Sequence, residues 1–229
     1  MIQFPFQIFG KITALPGLWP ALRYKLFRAP GAPKNRYAPL KQGGIIVANH
    51  RTVMDGLFLA YVFLFREVRV MAAEVLYQKN KPFAWLLHHL GFIKVERSAL
   101  DLTAVQETAK TLKRGGVVIL FPEGRLPLPH EKGSLLRFQP GAVILAHQVG
   151  VPILPMHIKG RYIRERVSVI IGEPITADTL IDPSLPFQEA LTKACETLRQ
   201  RVVCLGKELE RQLKKPVRGP EAEQKETGL

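Results

Sequence analysis

The sequence predicts an α/β fold: a mixed, largely parallel central sheet flanked by helices, preceded by an N-terminal membrane-surface helical segment. Three observations lead to this prediction. Short β-branched runs such as 45–47 alternate with segments of helical periodicity, which is the pattern of βαβ units. Gly and Pro fall between these segments and punctuate them. Basic and aromatic side chains are concentrated before the first acidic residue, Asp55.

The chain has 229 residues and 47% hydrophobic content, enough for one well-buried domain and too much for wholesale disorder. We divide it into an amphipathic membrane-associating segment at 1–28, a linker at 29–44, a globular α/β domain at 45–215 and a disordered tail at 216–229. The first segment is expected to form one or two short helices that bend where prolines cluster. The linker is rich in Pro and Gly.

Within the domain, each β-branched run predicts a strand, and apolar residues three or four positions apart predict a helix. The predicted strands lie at 45–48, 68–72, 115–121, 153–158 and 167–171. The predicted helices begin near 56 and then span 81–90, 99–113, 142–149 and 187–213. On the last helix Leu191, Leu198 and Leu205 mark an apolar stripe. Its two cysteines, Cys195 and Cys204, form no disulfide pattern, which favours a reducing compartment.

The charge balance favours an anionic partner. With 33 basic and 19 acidic side chains the formal net charge is +14, which suits nucleic acid, phospholipid or a phosphorylated metabolite. Interleaved bases and aromatic residues near the amino end favour an anionic membrane surface over nucleic acid. The apolar run at 57–65 is shorter than the roughly 18 residues that span a bilayer. We therefore expect a monotopic or peripheral protein at the cytoplasmic face of the cell membrane.

The stretch GGIIVANHRTVMDG places a base and a carboxylate directly after a buried strand. His50 and Asp55 are five residues apart, so on one continuous helix they would lie on different faces. If His50 lies in the turn and Asp55 begins the helix, Asp55 can bond one imidazole nitrogen and leave the other for a substrate hydroxyl. The alternative is that Asp55 caps the helix and His50 is an ordinary loop residue.

Three further segments follow at the ends of predicted strands: GFIKVERS, LFPEGRLP and VPILP. Together with NHRTVMDG, this ordered set resembles the four blocks of the glycerolipid acyltransferase family, which includes the 1-acylglycerol-3-phosphate acyltransferases and carries an N-H-x4-D motif. The resemblance covers roughly 43–174. It implies that the domain at 45–215 is an acyltransferase domain.

The resemblance also implies roles for individual residues. His50 would be the general base and Asp55 the group that orients it. The second and third blocks would bind the acceptor's phosphate, through Arg97, Glu123 and Gly124. Alternatively, Arg97 is a surface ion-pair partner. The fourth block would lie on the acyl-chain side, through Val151, Pro152, Ile153 and Pro155.

Two departures from the family pattern affect the acceptor. Many relatives carry Lys before the helix of the second block, where this chain has Ala72 and Ala73. The other departure is in the third block. Family members carry Arg two positions after the Gly of the third block, where this chain has Leu126, whereas Arg125 follows Gly124 directly. Either Arg125 supplies the guanidinium from a shifted position or recognition of the acceptor has changed. Glu123 would orient Arg97 or another donor, or bond a glycerol hydroxyl.

The reaction implied is transfer of a fatty acyl group from acyl-CoA or acyl carrier protein to the hydroxyl of 1-acyl-sn-glycerol-3-phosphate, a lysophospholipid, giving phosphatidic acid. It requires no cofactor and no metal, because a thioester is already activated and needs only a base, placement and oxyanion stabilisation. Alternative acceptors are glycerol-3-phosphate, another lysolipid or an aminolipid. The rival class is a non-enzymatic basic protein that binds membrane or nucleic acid, and it gives His50 no role.

Overall fold

A seven-stranded sheet forms the centre of the protein. The computed structural model describes residues 24–78, 81–95, 101–131, 133–162 and 166–214. The strands are β1 (Tyr24–Arg28), β2 (Gly44–Ala48), β3 (Val68–Ala73), β4 (Phe92–Val95), β5 (Val117–Leu120), β6 (Ile153–Lys159) and β7 (Val167–Ile171). Their order is β1-β7-β6-β2-β5-β3-β4, and of these described pairs only β6 and β7 are antiparallel. The predicted mixed, largely parallel sheet is confirmed.

Helices cover both faces of the sheet. They are α1 (Met54–Val62), α2 (Lys81–His89), α3 (Leu102–Lys113), α4 (Gly141–Val149) and α5 (Phe187–Lys214). Successive residues of β2 point to opposite faces: Ile46 packs in the core with α1 and α2, and Ile45 packs in the core with α3, α4 and α5. All of β2 is buried, which explains why its sequence is a continuous apolar run rather than an alternating one.

The topology places a switch point at the carboxyl ends of β2 and β5. These two strands are parallel neighbours, but α1 follows β2 on one face of the sheet and α4 follows β5 on the other. The loops that leave the two strands therefore diverge, which is the switch point where α/β sheets bind ligands. The parallel strand β6 ends at the same edge.

The amino-terminal helical prediction is wrong for Tyr24–Arg28, which form β1 and pair in parallel with β7. Aromatic and basic residues that suit a membrane-surface helix also suit an edge strand, and pairing with β7 decides between them. Residues 1–23 and 215–229 lie outside the described residues, and with them most of the predicted membrane segment and the predicted tail. Within the described part of the chain, no helix combines the length and apolar character needed to cross a bilayer.

Residues 29–44, predicted to be a linker, pack against the domain. Leu40 is fully buried in the core beside α1. The guanidinium of Arg66 donates to the backbone carbonyls of Leu40, Lys41 and Gly115. This connection is therefore held to the domain by burial and hydrogen bonds, and β1 belongs to the same sheet.

The long helix α5 lies close to β6 because Gly206 has no side chain. A Cβ atom at this position would come within 2.8 Å of Cε1 of His157. The Nδ1 atom of His157 is buried and has no hydrogen-bond partner among the described residues. Burial lowers the pKa of His157 to about 4; a backbone hydrogen bond with Val202 opposes this shift, and the positive charges of Arg51 and Lys159 add to it.

This burial predicts acid sensitivity of the fold. The unfolded chain protonates His157 near pH 6.5 and the folded chain near pH 4, so between these values the unfolded state binds more protons. Lowering the pH across this window should reduce the free energy of unfolding by up to about 3 kcal/mol. The free energy of unfolding, measured with urea across this pH window, should depend much less on pH in His157→Gln. Replacement of exposed His88 by Gln should leave the pH dependence unchanged. Equal pH dependence in all three proteins would contradict this account.

Candidate active site

His50 and Asp55 meet in the loop between β2 and α1. The strand ends at Ala48 and the helix begins at Met54, so His50 lies in the turn and Asp55 in the first helical turn. Nδ1 of His50 is 3.2 Å from Oδ2 of Asp55. The intervening turn brings together two side chains that a continuous helix would separate.

Asp55 is fully buried and accepts hydrogen bonds on both carboxylate oxygens. Oδ2 accepts from the backbone N–H groups of Arg51 at 2.6 Å and Thr52 at 2.7 Å. Oδ1 accepts from the Thr52 hydroxyl at 3.2 Å and the Tyr162 hydroxyl at 2.7 Å. A carboxylate surrounded by donors acts only as an acceptor, so the Nδ1 of His50 must carry its proton. In the neutral imidazole the lone pair is then on Nε2, the nitrogen that can accept a proton from a substrate.

The segment after β5 fixes His50 from the other side. The imidazole stacks on the ring of Phe121, with 4.2 Å between centroids and 17° between planes. Oε1 of buried Glu123 accepts from the backbone N–H of His50 at 2.7 Å, and its Oε2 accepts from the N–H of Leu136 at 2.9 Å. Burial raises the pKa of Glu123, while the two N–H donors oppose that shift. Glu123 thus holds the backbone of His50 in place.

Asn49, the residue before His50, extends the pairing of β2 with β6. Its side-chain amide donates to the carbonyl of Ile158 at 3.0 Å, and its carbonyl oxygen accepts from the N–H of Ile158 at 2.7 Å. The backbone can then leave the sheet without leaving buried polar groups of β6 unpaired. The position of His50 is thereby defined relative to the end of β6.

Comparison with known protein families agrees with this geometry of His50 and Asp55. The model of the family described as Acyltransferase matches residues 32–159, more than half of the chain. The chain belongs to the acyltransferase family. The resemblance of its four sequence blocks to glycerolipid acyltransferases is confirmed.

Curated relatives of this acyltransferase include two bacterial proteins named 1-acyl-sn-glycerol-3-phosphate acyltransferase. The one from Streptococcus pneumoniae is 30% identical over 57% of this chain and 49% of the relative. The one from Pseudomonas aeruginosa is 31% identical over 69% of this chain and 60% of the relative. The chain thus spans about half the length of the curated relatives that it matches.

A solved structure shares the fold of this acyltransferase. It is the 1-acyl-sn-glycerophosphate (LPA) acyltransferase PlsC from Thermotoga maritima, which matches with a TM-score of 0.57 and 25% sequence identity. The match covers 94% of this chain and 81% of that chain. The α/β sheet and its flanking helices are therefore the fold of a known acyltransferase.

The residues predicted to bind the acceptor differ in what the structure shows of them. Arg97 lies outside the described residues. Arg125 forms a bidentate pair with Glu131, with both N–O distances 2.6 Å, and this pair lowers the pKa of Glu131 to about 2. The described contacts of Glu123 are with the backbone N–H groups of His50 and Leu136, and its expected bond to Arg97, another donor or a glycerol hydroxyl stays a prediction.

Gly124 was expected to allow close approach of substrate to the backbone. Its φ of +72° lies in the left-handed region that favours glycine. A Cβ atom there would meet only Cγ of Gln139, at 3.7 Å. The turn, rather than a lack of space among the described residues, is what requires glycine at this position.

The VPILP block, predicted to lie on the acyl-chain side, leads into the amino end of β6. This is the end of the sheet opposite to the one where His50 lies. Val151 and Ile153 are buried, and Pro152 lies between them before β6. Ile153 pairs with Ile45 at the beginning of β2, whereas His50 follows the end of β2. Three further residues of β2, which span roughly 10 Å, and then Asn49 separate Ile45 from His50. Pro155 lies nearer, opposite Val47 in the middle of the sheet. Contact of these residues with an acyl chain stays a prediction.

Sequence reasoning missed Phe121 and Tyr162 as parts of this site. Phe121 lies within the LFPEGRLP block, but as the last residue of the strand predicted at 115–121 it received no role of its own. Tyr162 lies beyond the segment that matches the family model and more than a hundred residues from Asp55. No spacing rule connects residues so far apart, so only the fold reveals the contact.

The Glu123 contacts predict a specific effect of replacing its carboxylate by an amide. Glu123→Gln offers one acceptor and one NH₂ group, so one buried backbone N–H would face another donor. An unsatisfied buried donor typically costs about 1–3 kcal/mol. Urea unfolding should show a decrease of that size in the free energy of unfolding. Glu74→Gln affects an exposed ion pair with Lys94 and should change the free energy of unfolding little. Equal effects of the two substitutions would contradict the positioning role.

Proposed function

We propose that this acyltransferase moves a fatty acyl group from acyl-CoA or acyl carrier protein to the free hydroxyl of 1-acyl-sn-glycerol-3-phosphate, giving phosphatidic acid. The observation that carries the proposal is the fixed imidazole of His50, whose Nδ1 bonds buried Asp55 and whose Nε2 is left as the base. The names of the relatives support the choice of acceptor.

The chemistry needs little beyond this pair. Nε2 of His50 takes the proton of the acceptor hydroxyl as its oxygen attacks the thioester carbonyl carbon. The tetrahedral intermediate collapses, the C–S bond breaks, and the departing sulfur takes the proton from the imidazolium. Asp55 stabilises the imidazolium while it exists. No nucleophile of the enzyme and no metal is needed, because the thioester is already activated.

The acceptor's phosphate needs cations near this base. Arg125 is the described candidate, in the exposed loop after β5. Its pair with Glu131 is exposed to solvent, and exposed pairs contribute little net stability. A phosphate dianion offers the same bidentate geometry with a larger charge, so it can replace Glu131 on Arg125. Arg97 would supply a second guanidinium.

The protein is proposed to work at a membrane surface, at the cytoplasmic leaflet. Its net charge of +14 favours an anionic bilayer, and the acceptor and the product are both lipids. The amino-terminal segment at 1–28 would dock there, and its part outside the described residues, 1–23, carries Lys11 and Arg23 among aromatic and aliphatic side chains. Removing residues 1–23 should weaken binding to anionic vesicles.

One observation favours a second acceptor class. If Glu131 keeps Arg125 occupied, the loop carries less positive charge than the family pattern implies, and a lysolipid without a terminal phosphate becomes the acceptor. Glycerol-3-phosphate and an aminolipid remain further candidates. Offering these acceptors separately distinguishes the possibilities.

The base is tested by His50→Ala on phospholipid vesicles. A general base typically contributes about 10²–10⁴-fold to the rate, so thioester consumption with 1-acylglycerol-3-phosphate should fall by that factor. Glycerol-3-phosphate and lysophosphatidylcholine, offered in parallel, identify the acceptor. His88→Ala, on the exposed side of α2, is the matched control and should retain full turnover. Unchanged turnover in His50→Ala would remove His50 from the reaction.

The exchange of partners on Arg125 predicts opposite effects of two substitutions. Glu131→Gln should lower KM for 1-acylglycerol-3-phosphate, because the phosphate no longer displaces a carboxylate. Arg125→Gln should raise that KM severalfold, because a charge-assisted hydrogen bond is lost. With lysophosphatidylcholine as acceptor, Glu131→Gln should not lower KM and Arg125→Gln should not raise it severalfold. If both variants behave as wild type, Arg125 does not bind the acceptor.

A further inference from the structure

The connection between β6 and β7 lies against the loop that carries the catalytic pair. Nη1 of Arg51 donates to the backbone carbonyl of Gly160 at 3.0 Å. Two residues later, the Tyr162 hydroxyl donates to Oδ1 of Asp55 at 2.7 Å. This connection and the catalytic loop are thus joined by two hydrogen bonds, one of which ends on the carboxylate itself.

Tyr162 is suited to be a fixed donor. Its ring meets Phe58 of α1 edge to face, with 5.7 Å between centroids. Burial raises the pKa of Tyr162 well above its ordinary value, and the negative charge of Asp55 raises it further. The phenol therefore remains protonated and donates, and packing on Phe58 limits the directions from which it can do so.

The contact falls on the carboxylate oxygen that does not face His50. Oδ2 accepts a hydrogen bond from Nδ1 of His50. Oδ1 accepts from the hydroxyls of Tyr162 at 2.7 Å and Thr52 at 3.2 Å. The shorter bond comes from Tyr162, on a strand connection that is distant in sequence. Holding Oδ1 limits rotation of the carboxylate about its Cβ–Cγ bond and so determines where Oδ2 lies.

We propose that Tyr162 is a positioning residue for the catalytic pair: it fixes the orientation of the Asp55 carboxylate and withdraws part of its charge. The proposal rests on the proposed function of His50. It adds a residue beyond the segment matched by the family model.

The charge-withdrawing effect has a definite sign. Without the Tyr162 hydroxyl, the carboxylate keeps more of its charge and stabilises the imidazolium of His50 more strongly. The acid limb of the pH profile should then move to higher pH. Among the described residues, the charge of Glu123, from the segment after β5, acts on both His50 and Asp55, and that of Arg51, from the catalytic loop itself, acts on Tyr162. Neither changes in the substitution.

The test is Tyr162→Phe, which removes the hydroxyl and keeps the ring on Phe58. We expect kcat to fall about ten-fold, because a hydrogen bond to a charged group is lost, with KM within about two-fold of wild type. The acid limb of kcat/KM should move to higher pH. Tyr77→Phe is the matched control, because the Tyr77 hydroxyl donates to the carbonyl of Phe92 at 2.9 Å and touches neither His50 nor Asp55.

A second readout is independent of acyl transfer. The Nδ1 proton of His50 should give a strongly downfield ¹H NMR signal, which should shift or broaden in Tyr162→Phe and stay in place in Tyr77→Phe. If the wild type transfers no acyl group, the proposed function fails, and the NMR signal alone still decides whether Tyr162 orients the pair.

Three results would overturn the proposal: an unchanged pH profile with an unchanged signal, a loss confined to KM, or equal effects in Tyr162→Phe and Tyr77→Phe. The last would show that removing any buried hydroxyl disturbs the protein. A ten-fold loss in kcat with the shifted acid limb, absent from the control, would support it.

Discussion

The site depends on one buried carboxylate and the donors that surround it. Asp55 has no exposed surface, and a buried charge is costly unless it is fully hydrogen-bonded. It meets this requirement with five donors: two backbone N–H groups, two hydroxyls and the imidazole. The same contacts determine the conformation of the loop and the tautomer of His50. The stability of the loop and the orientation of His50, the proposed base, therefore have one physical origin.

The sheet supplies these donors from separate parts of the chain. The loop after β2 provides the backbone N–H groups and Thr52, and the connection after β6 provides Tyr162. Among its described residues the segment after β5 provides no donor to Asp55, but it fixes His50 through Phe121 and Glu123. Parallel pairing of β2 with both β5 and β6 brings these segments to one edge. The site is thus a consequence of strand order rather than of any one segment.

Much of this was readable in the sequence. β-branched runs located the inner strands, and apolar spacing located α5 to within one residue of its observed end. The motif placed His50 next to Asp55, because a turn between a strand and a helix is local. The amino-terminal strand β1 was missed, because an edge strand of five residues has too little periodicity to be distinguished from an amphipathic helix.

The remaining parts of the site could not be read in the same way. The contacts of Tyr162 with Asp55 and of Glu123 with the backbone of His50 join residues far apart in sequence. The pairing of Arg125 with Glu131 is local, but many conformations of an exposed loop compete with it. The position of Val151 and Ile153 at the end of the sheet opposite to His50 follows only from the register of β6 on β2. A motif gives the types of the residues, and the topology decides what they touch.

The central claim is that Asp55 holds His50 with the proton on Nδ1 and the lone pair on Nε2. The most direct measurement is ¹⁵N NMR of the histidine side chains in the full-length protein at mildly alkaline pH, with the His50 signals identified by their loss in His50→Gln. The account predicts a single neutral tautomer with Nδ1 protonated and Nε2 unprotonated. A proton on Nε2, or an average of two exchanging tautomers, would show that Asp55 does not control the base and would contradict the account.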